Sequence, residues 1–470
     1  MDHRSYVSPF SWRYGCEELR SLFSEQTRRT LWRAVWVALA EAQAAQGLIE
    51  RDELDDIRAH AGEVDIDAAL AIEREIHHDL MAEIRVFASQ AQRGGGKIHL
   101  GATSMDIEDT VETYRLRRAL SLLGAQLRAL LDVFGRQVVR YADLVCMGYT
   151  HLQPAEPTTL GYRLASYAQD LLVDDAQLRF VFEHLTTKGM RGAVGTAATY
   201  ERLAGFGGRS AEIEAHVLER FGLRAGEIST QTYPRKLDYL LLSALAGVGA
   251  SLSKFAMDVR MLASPGFGEL GEPFGSKQVG SSSMPFKQNP IMCERIDSLA
   301  RLLPAYADVA WQNSATNVLE RTLDDSANRR VTLPEALLCT DEIVSIARRV
   351  IEGLRVDERR IAANLRTYAP FSGTQAVMME AVRAGGDRQL LHEALRHASM
   401  QAWEAVRLGD ENPLAHLLAQ ESSMTALLDP AEIRRLLDPS VQVGTAPQRA
   451  RKLAERIERV PPFPQQPEVT

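Results

Sequence analysis

Five long stretches, residues 109–144, 158–187, 237–264, 290–312 and 332–354, run almost without internal proline and carry apolar residues on more than one face. Proline removes a backbone donor and kinks a helix, so its scarcity permits helices of this length. Such helices are seldom stable alone in water, and apolar stripes on several faces require several neighbours, from this chain or from other copies of it. The predicted fold class is therefore all-α: three helical domains, with a central long-helix bundle over 104–356, an N-terminal helical domain over 1–103 and a C-terminal one over 357–470. In the first, Leu31, Ala34, Val35, Ala38, Leu39 and Ala42 fall on one helical face, and Gly47 supplies a C-cap. Beyond Asp357 the pattern becomes shorter and is punctuated by Gly385-Gly386 and Asn412-Pro413. The tail 461–470 carries four prolines and is not helical; it is a packed or a frayed extension.

At 470 residues the chain exceeds the size at which one hydrophobic core stops growing. Its net charge of -8, with Lys and Arg dispersed among Asp and Glu, argues against a nucleic-acid partner, and an anionic substrate would need a local cationic pocket. Stretch 237–264 is the most apolar, but Asp238, Lys254, Asp258 and Arg260 interrupt it, so it reads as a core helix and no membrane partner is expected. The first twenty residues contain no apolar run of the signal-peptide kind. Cys16, Cys146, Cys293 and Cys339 are far apart and form no CxxC pair, which points to a reducing cytoplasm with neither disulfides nor zinc.

Three motifs fail on context. Gly266–Gly271 spells GxGxxG but follows a helical pattern, not a strand, and Pro273 ends any helix it could open. Gly94-Gly95-Gly96-Lys97 lacks the remaining positions of a phosphate-binding loop. His77 and His78 are adjacent and have no ligand partner at metal spacing. No metal and no cofactor are expected.

Residues 264–288 form a Gly-, Ser- and Pro-rich connection between two long helices, and irregular segments of this length in a bundle are commonly lids or sites. It ends in Lys287, Asn289 and Pro290 at the mouth of a helix, where free amides and the positive dipole end attract an anion.

Within it, Gly280-Ser281-Ser282-Ser283-Met284-Pro285-Phe286-Lys287-Gln288-Asn289 matches every fixed position of Gly-Ser-Ser-x-Met-Pro-x-Lys-x-Asn, the signature of the fumarase, aspartase and argininosuccinate lyase superfamily, which the chain resembles. The resemblance covers nearly the whole chain and is most specific to the adenylosuccinate lyase family. It rests on Ser8-Pro9 with Arg13-Tyr14, His78-Asp79, His99–Ser104, Thr150–Ala155, Gln231-Thr232-Tyr233 and Glu320–Arg330.

The resemblance implies β-elimination of fumarate from adenylosuccinate to give AMP, and from the succinyl-carboxamide ribotide (SAICAR) of purine biosynthesis, by a homotetramer whose active sites draw on three subunits. It implies Ser281 as the base that takes the Cβ proton, His151 as the acid that protonates the leaving nitrogen, and His78 as a second histidine at the substrate. Lys287 is suited to hold the aci-carboxylate, since fixed charge aimed at developing charge is typically the largest catalytic term. Thr103, Ser104, Gln231 and Asn289 are implied to bind the succinyl carboxylates. Asp79 and Thr150, beside the two histidines, count with the substrate-binding set. Arg13, Tyr14, Arg321, Ser326 and Arg330 are implied to hold the nucleotide phosphate, with Arg295 a further cation, a task suited to guanidinium forks.

Three positions depart from the family pattern: Gln288 and Met292 stand where arginines are common, and Tyr162 replaces a frequent lysine. They make the loop less cationic and keep open a lyase acting on another N-substituted aspartate. A non-catalytic scaffold on the same fold is the reading from another class, and the presence of Ser281, Lys287 and His151 speaks against it.

Overall fold

The computed structural model describes residues 4–469. Helices α1 (Glu17–Leu22), α2 (Glu25–Ala45), α3 (Arg51–His60), α4 (Ile66–Ile76) and α5 (Asp79–Gln90) precede α6 (Ser104–Arg140). A hairpin of β1 (Val145–Thr150) and β2 (Gln153–Thr159) leads into α7 (Leu160–His184), followed by α8 (Ala198–Leu203), α9 (Arg209–Arg220) and α10 (Lys236–Ala263). Strand β3 (Leu270–Gly271) opens the long connection to α11 (Ile291–Ala300), α12 (Leu302–Ala315) and α13 (Ser326–Glu352), and β4 (Arg355–Val356) pairs antiparallel with β3. The chain then forms α14 (Glu358–Arg383), α15 (Arg388–Leu408), α16 (Leu414–Gln420), α17 (Ser422–Thr425), α18 (Pro430–Leu436) and α19 (Ala446–Glu458).

The all-α architecture is the expected one, with local differences that have physical causes. Helix α6 starts five residues before Asp109 because Thr103 and Asp106 form a capping box, in which the Thr103 amide donates to the Asp106 carboxylate at 2.9 Å. The expected 290–312 helix is two helices that meet at Arg301, since the ring of Pro304 conflicts with the carbonyl four residues back, at Ala300. Beyond Asp357 the chain is less broken than its pattern suggested: α14 and α15 run for 26 and 21 residues.

Helices α6, α10 and α13 run parallel. At their N-terminal ends, here the head, Arg235 beside the start of α10 donates to Asp109 of α6 (3.1 Å) and to Asp325 at the start of α13 (2.6 Å). At the opposite end, the tail, Gln137 of α6 donates to the Ile351 carbonyl of α13 at 3.1 Å. Helix α7 runs back towards the head, its Gly161 amide bonded to Tyr141 at the end of α6. With 37 residues at about 1.5 Å each, α6 spans about 55 Å from head to tail.

An apolar core including Leu127, Phe134, Leu245, Phe255 and Ile346 runs through the bundle. Helix α10 is long and apolar enough to cross a membrane by length and composition, but Leu241, Leu245, Val248 and Leu252 face this core. A second cluster joins Trp32 and Trp36 of α2 to Ile213 and Val217 of α9, and a third holds α14 to α18 together. The proline-rich tail is packed through Val469: Phe463 is buried against Gly124, where an added Cβ would lie 2.1 Å from the ring.

Candidate active site

At the head, His77 adopts a left-handed conformation (φ 54°) that ends α4, and His78 then caps α5, its Nδ1 accepting from the Met81 amide at 3.4 Å. The two adjacent histidines thus occupy a turn and a cap. Asp79 accepts from the Leu80 amide (2.8 Å) and from Nη2 of Arg330 (2.7 Å). Burial works against ionisation of Asp79, yet the Arg330 guanidinium outweighs it and holds the carboxyl below its ordinary range.

The segments carrying Gln231 and Arg321 are tied together. The Gln231 amide donates to the Glu320 carbonyl at 3.2 Å, and Arg321 donates to Asp325 at 3.0 Å. Beneath them, Arg329 reaches Asp238 (2.7 Å) and the Tyr233 hydroxyl (2.6 Å). Arg321, Ser326 and Arg330 line one cavity with Arg28, Arg115, Glu108 and Glu112. Arg329, Glu25 and Asp109 also stand in its wall, so its arginines sit among nearly as many carboxylates, and sequence reasoning did not single out Arg28, Arg115 or Glu108.

Burial, and then the charge of Asp79, pushes the Glu108 carboxyl up to about 7. Its folded pKa lies above the unfolded value, so the folded chain holds more protons between about pH 4.3 and 7 and stability falls as pH rises through that window. Glu108→Gln is expected to be more stable than the parent at pH 8, by about 1–3 kcal/mol after allowance for residual solvent contact, and equal to it near pH 4. Thermal melts at the two pH values check this; an equal difference at both would refute it.

Thr103 and Ser104 open α6 at this same end, behind the loop containing His99, whose φ is 67°. Burial pushes His99 down to about 4, so it is neutral at pH 7. The Trp36 indole donates to its Nδ1 at 3.1 Å, which leaves the proton on Nε2.

Arg13 and Tyr14 lie elsewhere. The Gly15 and Cys16 amides bond Glu342 (3.2 Å) and Asp341 (2.8 Å) on the flank of α13, and fifteen residues of helix, about 22 Å, separate Asp341 from Ser326.

At the tail, Thr150 pairs with Gln153, leaving His151 and Leu152 as a two-residue turn with φ of 53° and 60°. A positive φ at both positions is the turn that matches strand twist, at a cost in strain for residues with side chains. The His151 side chain is exposed at this tip, and just behind the turn Tyr149 donates to the buried Glu269 at 3.2 Å.

The 280–290 segment is also at the tail. The Ser281 hydroxyl oxygen accepts from the amides of Met284 (3.1 Å) and Ser283 (3.4 Å). Asn289 donates to the Gly280 carbonyl at 3.0 Å, and a Cβ on Gly280 would lie 2.0 Å from the Lys287 carbonyl oxygen, so the loop crosses itself beside Ser281. Among the described residues, neither Lys287 nor Arg295 has an ion-pair partner. One expectation is overturned: the amides of Met292 and Cys293 at the mouth of α11 are not free for a substrate anion. The Glu272 carboxylate accepts both, each at 3.0 Å. A carboxylate preceding a helix is the natural mate of its positive end, but Glu272 lies twenty residues upstream and no local spacing announces it.

The structure thus gathers His78, Asp79, Thr103, Ser104, Gln231, Arg321, Ser326 and Arg330 at the head. It leaves Thr150, His151, Ser281, Lys287 and Asn289 at the tail. Asp109 and Gln137, which mark the two ends on α6, are 28 residues or about 42 Å apart.

A protein-family profile described as Lyase matches residues 15–302, and one described as Adenylosuccinate lyase C-terminus matches residues 370–453. The chain is 35% identical over 451 residues to an adenylosuccinate lyase of Schistosoma mansoni, covering 95% of this chain and 93% of that one. To the Archaeoglobus fulgidus adenylosuccinate lyase it is 35% identical, over 97% of this chain and 98% of that protein. Among solved structures, a 3-carboxy-cis,cis-muconate lactonizing enzyme from Pseudomonas putida superposes with a TM-score of 0.85 at 26% identity, over 96% of this chain and 99% of that one. A fumarate lyase from a Mesorhizobium species shares the fold, with a TM-score of 0.83 at 24% identity over 96% of this chain and 99% of that one.

Proposed function

The chain belongs to the adenylosuccinate lyase family, and on that premise we propose that it eliminates fumarate from adenylosuccinate to leave AMP, and acts likewise on SAICAR. The observation that carries this reading is the Ser281 hydroxyl oxygen, which receives two backbone amides in the same loop as Lys287, a lysine with no ion-pair partner among the described residues. Amides aimed at a hydroxyl oxygen stabilise its alkoxide, the form that takes a proton from carbon.

Ser281 removes the Cβ proton, and the electron pair moves into the adjoining carboxylate, held there by Lys287. The pair then returns to form the C=C bond of fumarate as the C–N bond breaks, and His151 protonates the departing nitrogen. His78 assists at the substrate. Thr103, Ser104, Thr150, Gln231 and Asn289 hold the succinyl carboxylates in the reacting geometry, a large share of the barrier when alignment is good. Arg13, Tyr14, Arg321, Ser326 and Arg330 take the phosphate, Asp79 orients Arg330, and Arg295 adds positive charge.

The separation of head and tail residues supports a site built from several copies, as a homotetramer provides. So do apolar side chains exposed on the outer faces of the bundle, such as Val173 (54% exposed) and Phe180 (51%) on α7, with Trp311 on α12 and Val331 on α13. Four cysteines without disulfides support a reducing cytoplasm. The test is incubation of the purified protein with adenylosuccinate, following the ultraviolet change and the fumarate released. A folded tetramer that released none would overturn the substrate assignment, and release from another N-substituted aspartate alone would replace it.

A further inference from the structure

One side chain outside the loop grips both of its stems. The chain leaves β3 at Glu272 and returns at Gln288. Arg355, on β4, donates through Nε to the Glu272 carbonyl at 2.7 Å and through Nη1 to Oε1 of Gln288 at 2.7 Å. Pairing of Gly271 with Arg355 aims the guanidinium: a Cβ on Gly271 would stand 3.0 Å from Nη2, so the strand leaves the arginine room to lie across it. Glu272 in turn is fixed by its carboxylate on the α11 amides. Between these stems, the hydrogen bonds of residues 273–287 stay within the loop or reach its closing Asn289: Gln278 to Gly275, Lys287 to Met284, Asn289 to Gly280.

We propose that Arg355 is a positioning residue, a pin that holds the two stems of the loop at a fixed spacing so that residues 273–287 move as one unit and return Ser281 and Lys287 to the same place. A planar fork with several donors suits a bridge between a carbonyl and an amide oxygen. The pin also gives Gln288 a reason. Where the family commonly has arginine, this chain needs an acceptor, because a second guanidinium at 288 would face that of Arg355 across the same gap. The inference rests on the assignment of Ser281 and Lys287 to the reaction.

The test is a double-mutant cycle on the full-length protein, read by hydrogen exchange of the 273–291 segment and by steady-state kinetics with adenylosuccinate. Arg355→Met, Gln288→Leu and Gln288→Arg are each expected to speed exchange of the loop amides by about fivefold or more. Each should lower kcat by about tenfold to hundredfold with KM nearly unchanged, since reacting groups are misplaced while the nucleotide contacts remain. Gln288→Glu keeps an acceptor and should stay within about twofold of the parent in both readouts. In the Arg355→Met background, the same changes at 288 should have no further effect. Additive losses in the double variants, or a loss of kcat without faster loop exchange, would overturn the proposal. A parent protein that fails to turn over adenylosuccinate strikes at the reaction assignment instead, and the exchange cycle still decides whether the pin exists.

Discussion

Ser281→Ala is expected to lower adenylosuccinate turnover by about 10²–10⁴-fold, the range for removing a positioned proton acceptor, while melting temperature and assembly stay unchanged. Among the described residues the hydroxyl's hydrogen-bond partners are the amides of Ser283 and Met284, in a largely exposed stretch of loop, so truncation removes chemistry and little packing. His151→Ala should behave in the same way, because the imidazole is exposed at the hairpin tip. A Ser281→Ala protein that kept a near-parental rate would refute the role of the loop.

The separation of head and tail makes a sharper version of this experiment. His78→Ala at the head and Ser281→Ala at the tail disable residues about 40 Å apart along one chain, so a site that uses both takes them from different copies. Unfolding the two inactive proteins together and refolding them as mixed tetramers should recover about a quarter of the parental activity, because random mixing gives that share of sites both intact residues. No recovery, with mixed tetramers verified by mass, would mean that each site is built within one chain.

The largest stability effect is expected at Asp106, a residue that contacts no substrate in the proposed reaction. Its carboxylate is fully buried and accepts from the amides of Thr103 (2.9 Å), Gly192 (3.1 Å) and Arg191 (3.2 Å), from the Tyr200 hydroxyl (3.1 Å) and from the buried ammonium of Lys188. Asp106→Ala would leave that ammonium with the Gly192 carbonyl as its remaining hydrogen-bond acceptor. Stranding one partner of a buried ion pair costs about 3–5 kcal/mol, a large part of the roughly 5–15 kcal/mol that keeps a protein folded. The lost capping box at α6 adds to it, and because this box places Thr103 and Ser104, residual activity should fall as well. Asp106→Leu combined with Lys188→Met removes both charges and should recover much of the loss in a denaturant titration. If the double variant were no more stable than Asp106→Ala, the stranded charge would not be the cause.

Much of the fold was legible because helical periodicity is local. Leu31 to Ala42 and the long proline-poor stretches carry their pattern within a few turns, so the helices were found with boundaries a few residues off. The hairpin at 145–159 escaped because β2 contains Pro154 and Pro157 and the two short strands pair only with each other, leaving little alternation to read. The break at Arg301 was announced by Pro304, which a count of scarce prolines passed over. In the site, the contiguous motif 280–289 was legible because it is local, and the family it pointed to is the one the relatives show.

By itself, the sequence determined the family and its class of reaction, since a contiguous motif depends on side-chain identity and on spacing within a few residues. Only the tertiary structure decided which side chains meet. Glu272 occupies the α11 amides, Arg355 spans 67 residues to Gln288 and Lys188 finds Asp106 across 82. Three parallel helices also carry Arg321, Ser326 and Arg330 to one end and leave His151 and Ser281 at the other. Such contacts are set by how rigid helices about 55 Å long pack and by which buried charges then need partners, and neither is written in any local stretch of the chain.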